Sequence, residues 1–241
     1  MRVVALDLPG HGKSQGLASE ANYHFIDWVD IVLQAAQTLR WESFSILGHS
    51  MGAAIASLVA PVAKGRVERM VFIDGIGPWS QPDEDVVEQL QRALGEEESL
   101  RDGQRRRYES EEQILDAMRR ARRDVSPQRL RPLLQRGARR ESDGRWVFTH
   151  DRRLQATSRI RLTERQVLAF LKGIDCPVRL VRPRQGWPVD EETIERRLGA
   201  IEDVEVVEVE GGHHVHLQAP QRVAEVVRGF LETMSRGAGR R

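Results

Sequence analysis

The junction at residues 44–62 constrains this chain more than any other feature. Phe44 to Leu47 is a short apolar run, Gly48-His49-Ser50-Met51-Gly52 follows without a break, and Ala53 to Val62 continues as a small-residue helical stretch. A Gly-x-Ser-x-Gly between strand and helix demands a sharp, strained turn, and the glycines allow strand and helix to approach. Such a turn lifts the serine to the end of the strand. A helix starting at Met51 aims its free N–H groups and the positive end of its dipole at the same point. Ser50 is therefore the candidate nucleophile, and the Met51 N–H the candidate oxyanion donor.

The rest of the chain repeats this strand-then-helix rhythm. Val3 to Leu8 reads as a continuous apolar strand closed by Pro9-Gly10-His11-Gly12, and Tyr23 to Leu39 carries Phe25, Trp28, Val29, Val32, Leu33 and Ala36 at helical spacing. Val67 to Ile73 is a third apolar run, ending at Asp74. Later come a strand at Pro177 to Val181, a helix at Glu191 to Leu198, a strand at Val204 to Val209 and a helix at Gln221 to Met234. Continuous rather than alternating hydrophobicity predicts strands covered on both faces, hence a mostly parallel sheet flanked by helices.

Between Ile76 and Leu171 the pattern turns helical, with amphipathic stretches at Val86 to Leu94, Glu111 to Arg123, Gln128 to Gln135 and Glu164 to Leu171 and no core strand. The predicted organisation is a core at 1–75, a helical cap at 76–171 and the remaining core at 172–241. Arg105-Arg106-Arg107 and Arg119-Arg120-Ala121-Arg122-Arg123 interleave with Glu109, Glu111, Glu112 and Asp116, the pattern of a solvated helix face rather than an anion site. The tail Arg236 to Arg241 is predicted to fray.

A serine needs a base, and the chain holds seven histidines. Gly211-Gly212-His213-His214-Val215-His216 follows the last strand and precedes a helix, which places it at the carboxyl edge of a parallel sheet, where open α/β folds bind ligands. His213 is the candidate base. The cluster lacks an acid or thiol pair at ligand spacing, so neither a metal nor any other cofactor is expected. His49 reads as packing beside the elbow, and His24 and His150 carry no usable signal. With Lys+Arg 37 against Asp+Glu 36 no global field would draw the chain to nucleic acid. No apolar stretch approaches the roughly 20 residues of a membrane span, and Met1 to Asp7 is too short for a signal-peptide core. A lone cysteine, Cys176, fits a reducing compartment, so a cytoplasmic location is expected. Oligomeric state is not readable.

Asp7-Leu8-Pro9-Gly10-His11-Gly12-Lys13-Ser14, the elbow, and Gly212-His213 followed by Pro220 resemble the α/β-hydrolases of the serine hydrolase-like protein group. Arg131-Pro132-Leu133-Leu134, Arg161-Leu162-Thr163-Glu164 and Gly212-His213-His214-Val215-His216-Leu217 sharpen the likeness, which covers nearly the whole chain. The resemblance implies an α/β-hydrolase fold and makes His213, rather than His214, the base. Gly12-Lys13-Ser14 mimics the end of a phosphate-binding loop, but Asp7 stands where that loop needs its first glycine, so no nucleotide site is expected.

Two departures from the family follow. Its usual triad acid lies near Arg184, Gln185 and Gly186, none of them acidic; Asp74, at the end of the strand after the elbow helix, is the implied substitute, with Asp190 as the fallback. Family members also begin with additional strands and a His-Gly loop that gives a second oxyanion N–H. Without these N-terminal strands the sheet would have a gap beside Val3 to Leu8, and the sequence reads as truncated. The expected activity is hydrolysis of a small ester or related acyl substrate through an acyl-enzyme. The alternative is an inactive or truncated relative that binds a small ligand. Ser50 argues against haloalkane dehalogenase and epoxide hydrolase chemistry, which on this scaffold use an aspartate nucleophile.

Overall fold

The computed structural model describes residues 1–232; the tail expected to fray lies outside the described residues. The chain divides into two compact units, one of Met1–Asp27 with Glu84–Ile160 and one of Trp28–Asp83 with the chain from Arg161 onward. The division differs from the core and cap boundaries read from the sequence: residues 1–27 group with 84–160, while 76–83 and 161–171 group with the sheet.

In chain order the elements are α1 (Asp27–Thr38), β1 (Phe44–His49), α2 (Met51–Val62), β2 (Val67–Ile73), α3 (Val86–Asp102), α4 (Glu111–Arg120), α5 (Pro127–Gly137), β3 (Ala138–Arg140), β4 (Trp146–Phe148), α6 (Glu164–Lys172), β5 (Val178–Gln185), α7 (Glu191–Leu198), β6 (Val204–Gly212), α8 (Val215–Gln218) and α9 (Pro220–Glu232). The sheet runs β1-β2-β5-β6, with every pairing parallel.

β2 shows why continuous apolar strands form a doubly covered sheet. Val71 and Ile73 join Val181, Val209, Val215, Val223, Val226 and Phe230 in one buried cluster beneath α9. Side chains alternate across a strand, so Met70 and Phe72 face the other side, where they are equally buried. Residues 53–60 of α2 are buried throughout, and their small side chains let this helix lie close to β1 and β2. Each large side chain buried in this way contributes roughly 1.5–3 kcal/mol.

β5 runs four residues beyond the predicted end at Val181. Pro183 cannot donate to a ladder and would ordinarily mark the end of a central strand. Here the register with β6 shifts between Pro183 and Gln185, and pairing resumes at Gln185 with Gly212.

One expectation fails in the unit that holds the chain start, and one gains a detail. Val3 to Leu8 forms no strand, and Val3 is 75% and Leu6 42% exposed. An apolar run becomes a buried strand only where neighbours complete its hydrogen-bond ladder, and among the described residues this segment pairs with none. The helical segment, conversely, contains an antiparallel hairpin, β3–β4, three residues per strand. The Arg105 guanidinium donates to the Phe148 carbonyl and Arg107 pairs with Asp143 and Glu141, so this arginine run holds the hairpin rather than merely facing water.

The loop resembling a phosphate cradle is filled from within. Asp7 Oδ2 accepts from the Lys13 N–H at 3.0 Å, and the Ser14 hydroxyl donates to the Asp7 carbonyl at 2.6 Å. Further on, the Arg153 guanidinium donates to the carbonyls of Leu17, Ala18, Ser19 and Ala21 and pairs with Asp151, which also accepts from the Tyr23 hydroxyl. Burial alone would raise the Asp151 carboxyl, but these donors hold it at about 2.

Candidate active site

The elbow has the strain its sequence demands. Ser50 sits at φ 52°, ψ −116°, its N–H donating to the Ile73 carbonyl at 3.0 Å. A side chain at Gly48 would run into the Gly52 carbonyl and the Ala53 nitrogen, so this glycine is what lets β1 and α2 touch. Gly52 differs from expectation: a Cβ there would meet open space. Met51 heads α2, where the first N–H groups have no intrahelical acceptor.

Arg40, Ser50 and Asp74 are the non-glycine residues at positive φ among those described, and two of the three are site candidates. Left-handed backbone at such residues costs on the order of 1–3 kcal/mol and concentrates at functional sites. Asp74 follows β2 at φ 45°, with its N–H on the Val181 carbonyl. Gly75 lies so close to Ser50 and Ala53 that an added Cβ would be tight against both.

His213 follows β6, and the Gly212 N–H is held by the Gln218 side chain at 2.7 Å. Its Nδ1 lies 2.6 Å from Asp74 Oδ2, with both side chains largely buried, at 17% and 10% exposed. A carboxylate only accepts, so Nδ1 donates, and in the neutral ring Nε2 is the acceptor. The Trp187 N–H also donates to Asp74 Oδ2, at 2.8 Å. A Cβ on Gly186 would collide with Asp74 Oδ1.

His49 joins the elbow to this loop. Its Nε2 lies 2.7 Å from the His213 carbonyl, which can only accept, so Nε2 carries the proton. The rings of His213, His214 and His216 surround it at 4.7, 5.6 and 4.2 Å. Burial, then the charge of His216, lower its pKa to about 4 and keep it neutral. On another flank of His213 the Trp187 indole packs at 5.0 Å, and Trp79 meets Trp187 edge-on at 6.2 Å.

A sequence model of the alpha/beta hydrolase family matches residues 1–226. The chain belongs to the alpha/beta hydrolase family. Within it the chain groups with the serine hydrolase-like proteins. It is 30% identical to a serine hydrolase-like protein of Danio rerio over 97% of this chain and 74% of that protein, and 29% identical to one of Dictyostelium discoideum over 96% and 67%. The crystal structure of the hypothetical protein PA1622 from Pseudomonas aeruginosa PAO1 superposes with a TM-score of 0.88 at 35% identity, covering 96% of this chain and 82% of that one.

In this alpha/beta hydrolase the two acid candidates lie in different surroundings. Asp74 meets His213, whereas Asp190 caps α7 through the Thr193 N–H at 2.8 Å. Cys176 is buried, and burial, followed by the Asp175 charge, pushes its thiol up to about 12. Among the described residues no group of three or more His, Cys, Asp or Glu is arranged to hold a metal, and no helix is long and apolar enough to cross a membrane. Sequence reasoning missed His49 as a hydrogen-bonding partner and Trp187 altogether, and it placed Gly186 at the position of the usual acid without seeing that the glycine makes room for Asp74. A glycine and a tryptophan side by side in the segment after a strand were the available signal.

Proposed function

We propose that this chain is a serine hydrolase that cleaves a small ester or related acyl substrate through an acyl-enzyme. The observation that carries the reading is the 2.6 Å contact of His213 Nδ1 with Asp74 Oδ2, beside a serine held on a strained elbow. Asp74 fixes the tautomer in which His213 Nε2 is basic and stabilises the imidazolium that forms. His213 takes the Ser50 hydroxyl proton as Oγ attacks the carbonyl carbon, and the Met51 N–H binds the developing oxyanion. Collapse of the tetrahedral intermediate expels the alcohol, which receives the proton from His213. Water, deprotonated by His213, then attacks the acyl-enzyme carbonyl, and collapse releases the acid as His213 returns that proton to Ser50 Oγ. The esterase Rv0045c of Mycobacterium tuberculosis, 27% identical over 95% of this chain and 74% of that protein, makes an ester a reasonable first substrate.

Turnover of a short-chain ester tests this. Asp74→Asn is expected to lower kcat by about 10²-fold or more, and Asp190→Asn to leave it within a few-fold. Equal activity in Asp74→Asn with a large loss in Asp190→Asn would reassign the acid.

A further inference from the structure

Trp79 and Trp187 are 58% and 50% exposed, yet they touch each other, and Trp187 touches His213. Single exposed apolar side chains are ordinary, whereas contiguous ones mark a contact surface. Both indoles stand on fixed backbone. The Trp187 N–H is bonded to Asp74 Oδ2, and its carbonyl accepts from the Val189 N–H at 2.9 Å. Next to Trp79, Ser80 bridges to Leu162, its hydroxyl donates to Glu164 Oε2 at 2.7 Å, and the Gln81 N–H donates to the Leu162 carbonyl. A rigid apolar surface that begins against the ring of His213 is therefore held open to solvent.

We propose that Trp79 and Trp187 form an aromatic platform that selects esters carrying a flat, neutral, apolar group, such as a phenyl ring, within one ring's length of the scissile carbonyl. The proposal rests on the Ser50–His213–Asp74 reading for its chemistry but not for its binding. Indole faces and edges pair well with planar apolar rings. A quaternary ammonium group would also suit an indole, but the neighbouring charges do not favour it. Asp74, which accepts from the Trp187 N–H, is engaged with His213, and Glu164, beside Trp79 through Ser80, pairs with Arg197.

Kinetics with methyl acetate, methyl phenylacetate, methyl cyclohexylacetate and benzyl acetate, followed by acid release, test the platform. One of the aryl esters is expected to exceed methyl acetate by at least about tenfold in kcat/KM, and methyl phenylacetate to exceed its cyclohexyl counterpart. Trp79→Ala should cut the aryl-to-methyl ratio about fivefold or more, and Trp79→Phe should keep most of it. Thermal melts of the variants check the fold. Calorimetric binding of phenylacetamide to Ser50→Ala, lost in Ser50→Ala/Trp79→Ala, supports the platform even if no ester is turned over, in which case only the catalytic reading falls. Absence of an aryl preference, a ratio unchanged in Trp79→Ala, or tighter binding of benzyltrimethylammonium than of phenylacetamide would overturn it.

Discussion

Asp74 occupies the space that a side chain at position 186 would need: a Cβ on Gly186 would collide with Asp74 Oδ1 and crowd its Cγ. The Asp74 carboxylate reaches His213 from the end of β2, and the loop after β5 makes room for it by having no side chain at the point of approach. The next residue, Trp187, adds an N–H to the same carboxylate.

Gly186→Ala is therefore expected to displace the Asp74 carboxylate without disturbing the core. Ester kcat should fall about tenfold or more, because small misplacements of a catalytic constellation are costly, while the melting temperature shifts by only a few degrees. Unchanged kcat would show that the approach of the two residues has no bearing on the chemistry.

His49 should prove to be a neutral clamp. Its folded pKa of about 4 lies below the ordinary 6.5, so between those values the unfolded chain binds a proton that the folded one refuses. Stability then rises with pH across this window and is lost as pH falls through it, by up to about 3 kcal/mol. Urea unfolding at pH 7.5 and pH 5 measures it. His49→Phe should flatten the pH dependence and lower kcat by freeing the His213 carbonyl, whereas His49→Gln, which keeps an N–H donor, should retain more activity. A pH dependence identical in wild type and His49→Phe would contradict the assignment.

Much of this was legible in the sequence for physical reasons. β2 and α7 fall on the predicted residues because a doubly buried strand and a capped amphipathic helix are local patterns. The elbow was legible because strand, glycine, serine and helix are adjacent in the chain. Val3 to Leu8 was misread because apolarity does not reveal whether a neighbouring strand is available. The end of β5 was hidden by Pro183, whose missing N–H is tolerated at a register shift. The hairpin β3–β4 was obscured by strands of three residues, one of them largely arginine. The approach of Gly186 to Asp74 was invisible for another reason: the two are 112 positions apart, and a requirement for empty space leaves no chemical signature.

The two elbow glycines make different demands. Gly48→Ala would drive a methyl group into the backbone of α2, and a loss on the order of 3 kcal/mol or more, or failure to fold, is expected. Gly52→Ala enters open space within a helix, where alanine is favoured over glycine by about 1 kcal/mol, so stability should hold or rise. Chemical denaturation of both variants measures the difference, and equal losses would show that the elbow needs two glycines for packing.

A Ser50 activated by His213 must react with electrophilic phosphorus. Intact-mass and peptide analysis after exposure to a fluorophosphonate tests it most directly, because phosphorus is attacked readily only by a serine with a base beside it. Stoichiometric modification at Ser50 is expected, with none in Ser50→Ala and much slower modification in His213→Ala. A folded wild-type protein that stays unmodified, or modification that persists in Ser50→Ala, would contradict it.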